Sequence, residues 1–250
     1  EELEPCHKLE QYGIKVIQPE LSFIRKCLNK YDLMKDLHGY NINAPKTWKI
    51  KDIPKNTRYP LLIKPNIGRG SRGIGKVHNL NELKQFIDKS NYRSNQLIAQ
   101  EFIEGREFTV SVVCWRDGIV KAIVPKEIIS KIGVTRIAVT RKNKKIEKIC
   151  KDIQKKLKAN GPFNVQLIID KETLEPYPFE INPRFSTSIT LTLAAGIDEL
   201  GGLVTQALYG EKSFNFPKNW KEGIVLIRRT LDTFVDEKTF IKNPLQICND

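Results

Sequence analysis

Apolar and polar positions alternate over residues 108–114, with Phe108, Val110, Val112 and Cys114 set against Thr109, Ser111 and Val113. That period predicts a half-buried strand. Asp117-Gly118 predicts a hairpin turn, and 119–124 the returning strand. Over 144–158 the period lengthens. Ile146, Ile149, Ile153 and Leu157 form one stripe, while Lys148, Lys151, Lys155 and Lys158 lie off it, so an amphipathic helix is expected. Gly161-Pro162 supplies a stop signal. Strands are expected at 163–169 and 177–182, joined across 170–176, then helices at 187–195 and 198–209 and a strand at 224–228. Earlier in the chain, 13–17 reads as a short strand, and Phe23, Ile24, Cys27 and Leu28 give a helical stretch its apolar side. Asn29 is placed to cap a further helix, with Asp32 three residues on as its box partner. Pro45 and Pro54 bracket a connector, and strand 61–64, helix 81–88 and strand 97–100 follow. Antiparallel neighbours mixed with helices predict an α+β fold rather than a repeated βαβ wind.

Size and composition narrow the classes. The 250 residues suit one large domain or two closely packed ones. Apolar residues make up 40% and charged residues 28%, ordinary for a soluble globular chain. No apolar run of about 18 residues is present, so no transmembrane helix and no membrane partner are expected. Glu1, Glu2 and Glu4 do not resemble a signal peptide, and a first residue other than Met reads as a fragment or a processed form. Cys6, Cys27, Cys114, Cys150 and Cys248 are odd in number and include no CxxC pair, which fits reduced thiols in a cytoplasm. A net charge of +13 raises nucleic acid as a partner. The lysines are spread along the chain, however, without the interleaved aromatics of a nucleic-acid groove. They read as a solvated face, with steering of anionic substrates as a secondary role.

The most distinctive stretch lies at 65–77, where four glycines fall within 68–75 with Ser71 among them. Glycine permits close backbone approach, and successive amides in such a loop can converge on phosphate oxygens. No Gly-Lys-Ser/Thr ends the stretch and a strand-like run follows it, so neither the Walker nor the Rossmann pattern applies. A plain flexible hairpin loop is the alternative. Lys64 favours phosphate binding, because it ends a strand directly before the loop. Arg69 and Arg72 could add to this or face solvent.

A second group sits on two strands. Asn164 and Gln166 share one face of 163–169, and Glu180 and Asn182 share one face of 177–182, with Arg184 beyond. Such groups are costly to bury without partners. One carboxylate with two amides offers the hard oxygens that magnesium takes when phosphates complete its shell. Arg184 suits a phosphate oxygen. A buried polar network or a Glu180–Arg184 ion pair is the alternative.

In order, Lys30, Lys64 with the glycine loop, Gln100-Glu101-Phe102-Ile103-Glu104-Gly105-Arg106-Glu107, Asn164-Val165-Gln166 and Glu180-Ile181-Asn182-Pro183-Arg184 resemble the ATP-grasp superfamily. The string from Asn182 to Ser188, followed by Ala194-Ala195-Gly196, is similar to the large subunit of carbamoyl-phosphate synthetase and its single-module relatives. The likeness covers about residues 14–210. It implies an ATP-grasp fold of two α+β subdomains gripping ATP. The expected organisation is 1–18 as at most a remnant of a preceding α/β domain, 19–58 as linker and helical part, 59–103 as lid with the glycine-rich loop, and 104–250 as the C-terminal subdomain with the metal site.

The resemblance also implies roles. Lys64 and Lys30 are the phosphate cations, and Gly68, Gly70, Ser71, Gly73 and Ile74 belong to the phosphate loop. Glu101, Phe102 and Ile103 form the adenine hinge, and Glu107 is the ribose carboxylate. Gln166, Glu180 and Asn182 are the ligands of Mg2+, or of Mn2+ in its place. Arg184 stabilises the transferred phosphoryl group. Two departures stand out: Asn29 precedes Lys30 where Asp is common, and one module is present rather than a tandem pair. The implied activity is an ADP-forming ligase that turns a small carboxylate into an acyl-phosphate for an amine or another nucleophile. The acceptor is expected to meet a loop at 126–136, where Arg136 either binds a carboxylate or is a plain surface residue. A homodimer is compatible with this reading, and an ATP-binding regulatory or assembly module is the alternative.

Overall fold

The computed structural model describes residues 5–68, 72–230, 234, 236 and 237. Arg69, Gly70, Ser71 and Cys248 lie outside the described residues. Among the described residues, ten strands form two antiparallel sheets. The smaller holds β1 (Thr47–Lys49), β2 (Leu61–Pro65), β3 (Gly75–Val77) and β4 (Leu97–Glu101) in the order β1-β4-β2-β3. Leu61 and Ile63 alternate with Leu62 and Lys64. The first pair packs with Val77, Leu97, Ala99 and Leu83 of helix α3 (Leu80–Lys89), which leaves Leu62 and Lys64 on the opposite face. Asn79 caps α3 by accepting from the Glu82 amide at 2.9 Å.

The larger sheet contains β5 (Gly105–Cys114), β6 (Val120–Ile132), β7 (Val134–Thr140), β8 (Phe163–Asp170), β9 (Pro176–Asn182) and β10 (Val225–Ile227), ordered β10-β7-β6-β5-β8-β9. Phe108, Val110, Val112, Val165, Leu167 and Ile169 point to one side. There they meet the predicted stripe of α4 (Lys144–Leu157) and residues of α1 (Leu21–Leu28) and α2 (Lys30–Gly39). On the other side Val113 and Val124 pack with Ile197 and with Leu203 of α6 (Glu199–Tyr209), which follows the short α5 (Ile189–Ala194). No helix among the described residues is long and apolar enough to cross a membrane.

Several expectations are corrected. Residues 13–17 form no strand; Ile17 instead packs its side chain on the Val113 cluster. The stretch 126–136 is not a loop but the β6–β7 hairpin, turning at Gly133 with φ +67°. Register shifts near Ile128 and Ser130 break its alternation, which is why its charged residues read as loop. β1 falls within the stretch expected to be linker, yet Thr47 pairs with Gln100. α4, by contrast, agrees with the stretch 144–158: it closes at its cap Lys158, whose left-handed φ of +55° lets its amide reach the Gln154 carbonyl. Gly161 serves close approach: a Cβ there would lie 2.4 Å from the Pro19 nitrogen.

Candidate active site

The two sheets face each other across a cleft of about 270 Å³. From the small sheet, Lys64 enters it. Its Nζ donates to Gln100 Oε1 at 2.9 Å and to the Phe179 carbonyl of β9 at 3.4 Å, so one buried ammonium spans both sheets. Gln100 is itself held by donating to Thr47 Oγ1 at 2.9 Å. Burial pushes the Lys64 ammonium down to about 8, with Glu180 opposing that shift and Lys30 adding to it. Lys30 begins α2 directly after its cap Asn29, whose Oδ1 accepts from the Asp32 amide at 3.0 Å. Its Nζ donates to the Gly68 carbonyl at 2.9 Å. Burial lowers its pKa too, against the pull of Glu180. Asn66 ties the loop to this helix: its Oδ1 accepts from the Tyr31 amide at 2.9 Å and its carbonyl from the Lys30 amide at 3.2 Å. Sequence reasoning missed both as supports: Asn66, two residues after Lys64, was a local signal, whereas Gln100 lies 36 positions away.

Gly68, Ile74, Glu101, Phe102, Ile103 and Glu107 also line the cleft. Gly73 has φ +68°, and its missing side chain leaves room for Tyr92, whose ring carbon a Cβ would meet at 2.6 Å. Phe102 and Ile103 lie in the connector between β4 and β5, with the Lys76 ammonium 3.7 Å from the Phe102 ring centre.

Across the cleft, Gln166 pairs in register with Glu180, and Asn164 with Asn182. Asn164 Oδ1 accepts from Thr109 Oγ1 at 2.7 Å. Asn182 Nδ2 is buried without a hydrogen-bond partner, while its Oδ1 accepts from Arg184 Nη2 at 3.4 Å. An unsatisfied amide at this depth leaves a polar position open to a ligand, and turning the amide over presents oxygen there instead. Among the described residues no group of three or more His, Cys, Asp or Glu could hold a metal. The polar side chains that β8 and β9 bring to this space are one carboxylate and side-chain amides, whose chemistry fits a hard cation sharing its shell with phosphate oxygens.

A second cleft of about 140 Å³ adjoins the first and shares Glu107, Lys131, Gln166 and Glu180 with it. Arg184, Ser186, Thr187 and Thr135 belong to this second space. Arg184 is set by the turn after β9 and donates to the Phe185 carbonyl at 2.8 Å. Arg136 lines neither cleft. Its Nη1 reaches Thr230 Oγ1 at 3.4 Å, while its neighbours Gly133, Val134 and Thr135 line the second cleft. Behind the turn, fully buried Lys126 donates to Ser111 Oγ at 2.8 Å, Thr192 Oγ1 at 3.0 Å and the Ser188 carbonyl at 3.4 Å. Ser111 passes a hydrogen bond to Glu199 at 2.9 Å. Burial pulls Lys126 down to about 8, opposed by Glu199, and pushes Glu199 up, opposed by Lys126.

A family model described as "ATP-grasp domain" matches residues 27–188. The chain is 29% identical over 184 residues to a D-alanine–D-alanine ligase of Clostridium acetobutylicum, covering 65% of this chain and 53% of that protein. It is 28% identical over 200 residues to a carbamoyl phosphate synthase large chain of Pyrococcus furiosus, covering 73% of this chain and 18% of that one. The chain thus spans about half or less of the length of these two relatives. Among solved structures, a biotin carboxylase–β-γ-ATP complex from Campylobacter jejuni superposes with a TM-score of 0.72 at 16% identity, over 88% of this chain and 54% of that one. A D-alanine–D-alanine ligase from Bacillus anthracis complexed with ATP gives 0.61 at 20% identity, over 82% and 74%. These likenesses show the fold.

Proposed function

Because the chain belongs to the ATP-grasp family, we propose that it is an ATP- and magnesium-dependent ligase that activates a small carboxylate. The observation that carries this reading is the meeting of Lys30, Lys64 and Glu180 in one cleft. Lys64 and Lys30 bind the phosphates, and the loop from Gly68 through Gly70, Ser71, Gly73 and Ile74 covers them. Glu101, Phe102 and Ile103 receive adenine, and Glu107 receives ribose. Residues 59–103 act as the lid and 104–250 carry the metal site. Gln166, Glu180 and Asn182 hold magnesium, which when bound screens the negative charge of the phosphates.

The substrate carboxylate occupies the second cleft. Its oxygen forms a bond to the γ-phosphorus in line as the bond to the ADP oxygen breaks. Lys64 and Arg184 face the charge that develops, and positioning with electrostatics supplies most of the acceleration. An amine or another nucleophile then attacks the acyl carbon, inorganic phosphate leaves, and the amine proton passes to solvent. Exclusion of water protects the acyl-phosphate in between. The free cysteines Cys27, Cys114 and Cys150, all buried, fit a reducing cytoplasm.

Pairwise screening of amino acids and small carboxylates for ADP and phosphate release tests the reading. Carboxylate-dependent release is expected from the wild type, with loss of magnesium-dependent turnover in Glu180→Ala and in Gln166→Ala. Full turnover in either variant contradicts the metal assignment.

A further inference from the structure

Lys131 was not singled out by the sequence, yet it lines both clefts together with Glu107. It stands on β6 two residues before the Gly133 turn, and its Nζ donates to Glu107 Oε1 at 2.8 Å. The two side chains retain 28% and 32% exposure, so neither is fixed by packing alone. The neighbouring Arg106 turns elsewhere, toward Glu127 at 3.5 Å. A carboxylate offers about four acceptor positions. One ammonium on Oε1 therefore steers the group and still leaves acceptors for sugar hydroxyls.

We propose that Lys131 is a specificity-determining positioning residue, which holds the Glu107 carboxylate in the orientation that accepts the ribose hydroxyls of the nucleotide. The inference rests on the nucleotide reading above. Glutamate loses appreciable rotamer freedom when fixed. With Lys131 in place that loss is taken on folding; without it, the loss falls on each binding event and weakens the ribose contact selectively. Because the hairpin also borders the second cleft, the ion pair joins sugar recognition to the acceptor side.

Calorimetric titration of the full chain with Mg-ATP, 2′-deoxy-ATP and 3′-deoxy-ATP tests this. The wild type should prefer ATP over at least one deoxy analogue by about 10-fold or more, as expected for hydrogen bonds to a carboxylate. Lys131→Met should cut that preference by about three- to fivefold, the scale of a partly exposed ion pair. Lys131→Arg should keep most of it. Glu107→Gln should reduce it, and adding Lys131→Met to Glu107→Gln should change it no further. Melting temperatures verify that each variant is folded. A wild-type preference retained in Lys131→Met overturns the proposal, as does a wild type that binds ATP without any preference. A wild type that fails to bind Mg-ATP at all overturns the nucleotide reading instead.

Discussion

Nucleotide binding should be coupled to proton uptake by Lys64. In the free protein burial holds this ammonium at about 8 rather than its ordinary 10.5, even with Glu180 nearby. Between those values the free protein has given up a proton that phosphate would restore. The sign follows: a lysine lowered in the free state and raised by an anion binds a proton when the anion arrives, and affinity weakens as pH rises through 8. At pH 7 about 0.1 proton should be taken up per nucleotide, at pH 8 about 0.5, and at pH 9 about 0.9. Above pH 8 the dissociation constant should rise toward tenfold per pH unit, equivalent to about 1.4 kcal/mol. Titration calorimetry in buffers of different ionisation enthalpy reads the uptake directly. Lys126 is also held near 8 but lies outside both clefts, so its contribution should cancel between free and bound states. Lys64→Met should remove most of the buffer dependence, leaving only the share of Lys30, whose pKa burial also lowers in the same cleft. Identical buffer dependence in the wild type and in Lys64→Met would show that Lys64 is not the group that titrates.

Three further outcomes are expected. Gln100→Leu removes the acceptor at 2.9 Å from Lys64 Nζ and should weaken ATP binding by about 1–3 kcal/mol, measured by calorimetry at pH 7. Gly161→Ala would drive a methyl group against the Pro19 backbone, and denaturant unfolding should show a loss of about 1–3 kcal/mol. Lys126→Met leaves Glu199 buried among hydroxyls without its cation. The loss should be about 3–5 kcal/mol in the same assay, and an unchanged unfolding midpoint would argue against an ionised pair.

What the sequence revealed of the site was what local alternation could carry. Lys64 precedes the glycines directly, and Glu180 and Asn182 sit two apart on one strand, so their shared faces follow from backbone geometry. The supports from distant parts of the chain were hidden. Gln100 reaches Lys64 across 36 positions, and Lys131 reaches Glu107 across a hairpin that read as a loop. The same limit explains the strand misread at 13–17 and the one missed at Thr47–Lys49: three residues become a strand when an edge such as that of Gln100 is available to them. Helix α4 was the easiest element to foresee, since its buried isoleucines repeat at a single period that needs no partner to be seen.

The ammonium that bridges the two sheets also bears on why this position carries lysine rather than arginine. A guanidinium keeps its charge at any pH a protein meets, so before ligand arrived it would stand at this buried position as a permanent cation. Lysine has an escape: in alkaline solution it can become a neutral amine and wait. Above about pH 8 the resting molecule thereby tolerates a buried position that regains its charge when an anion enters.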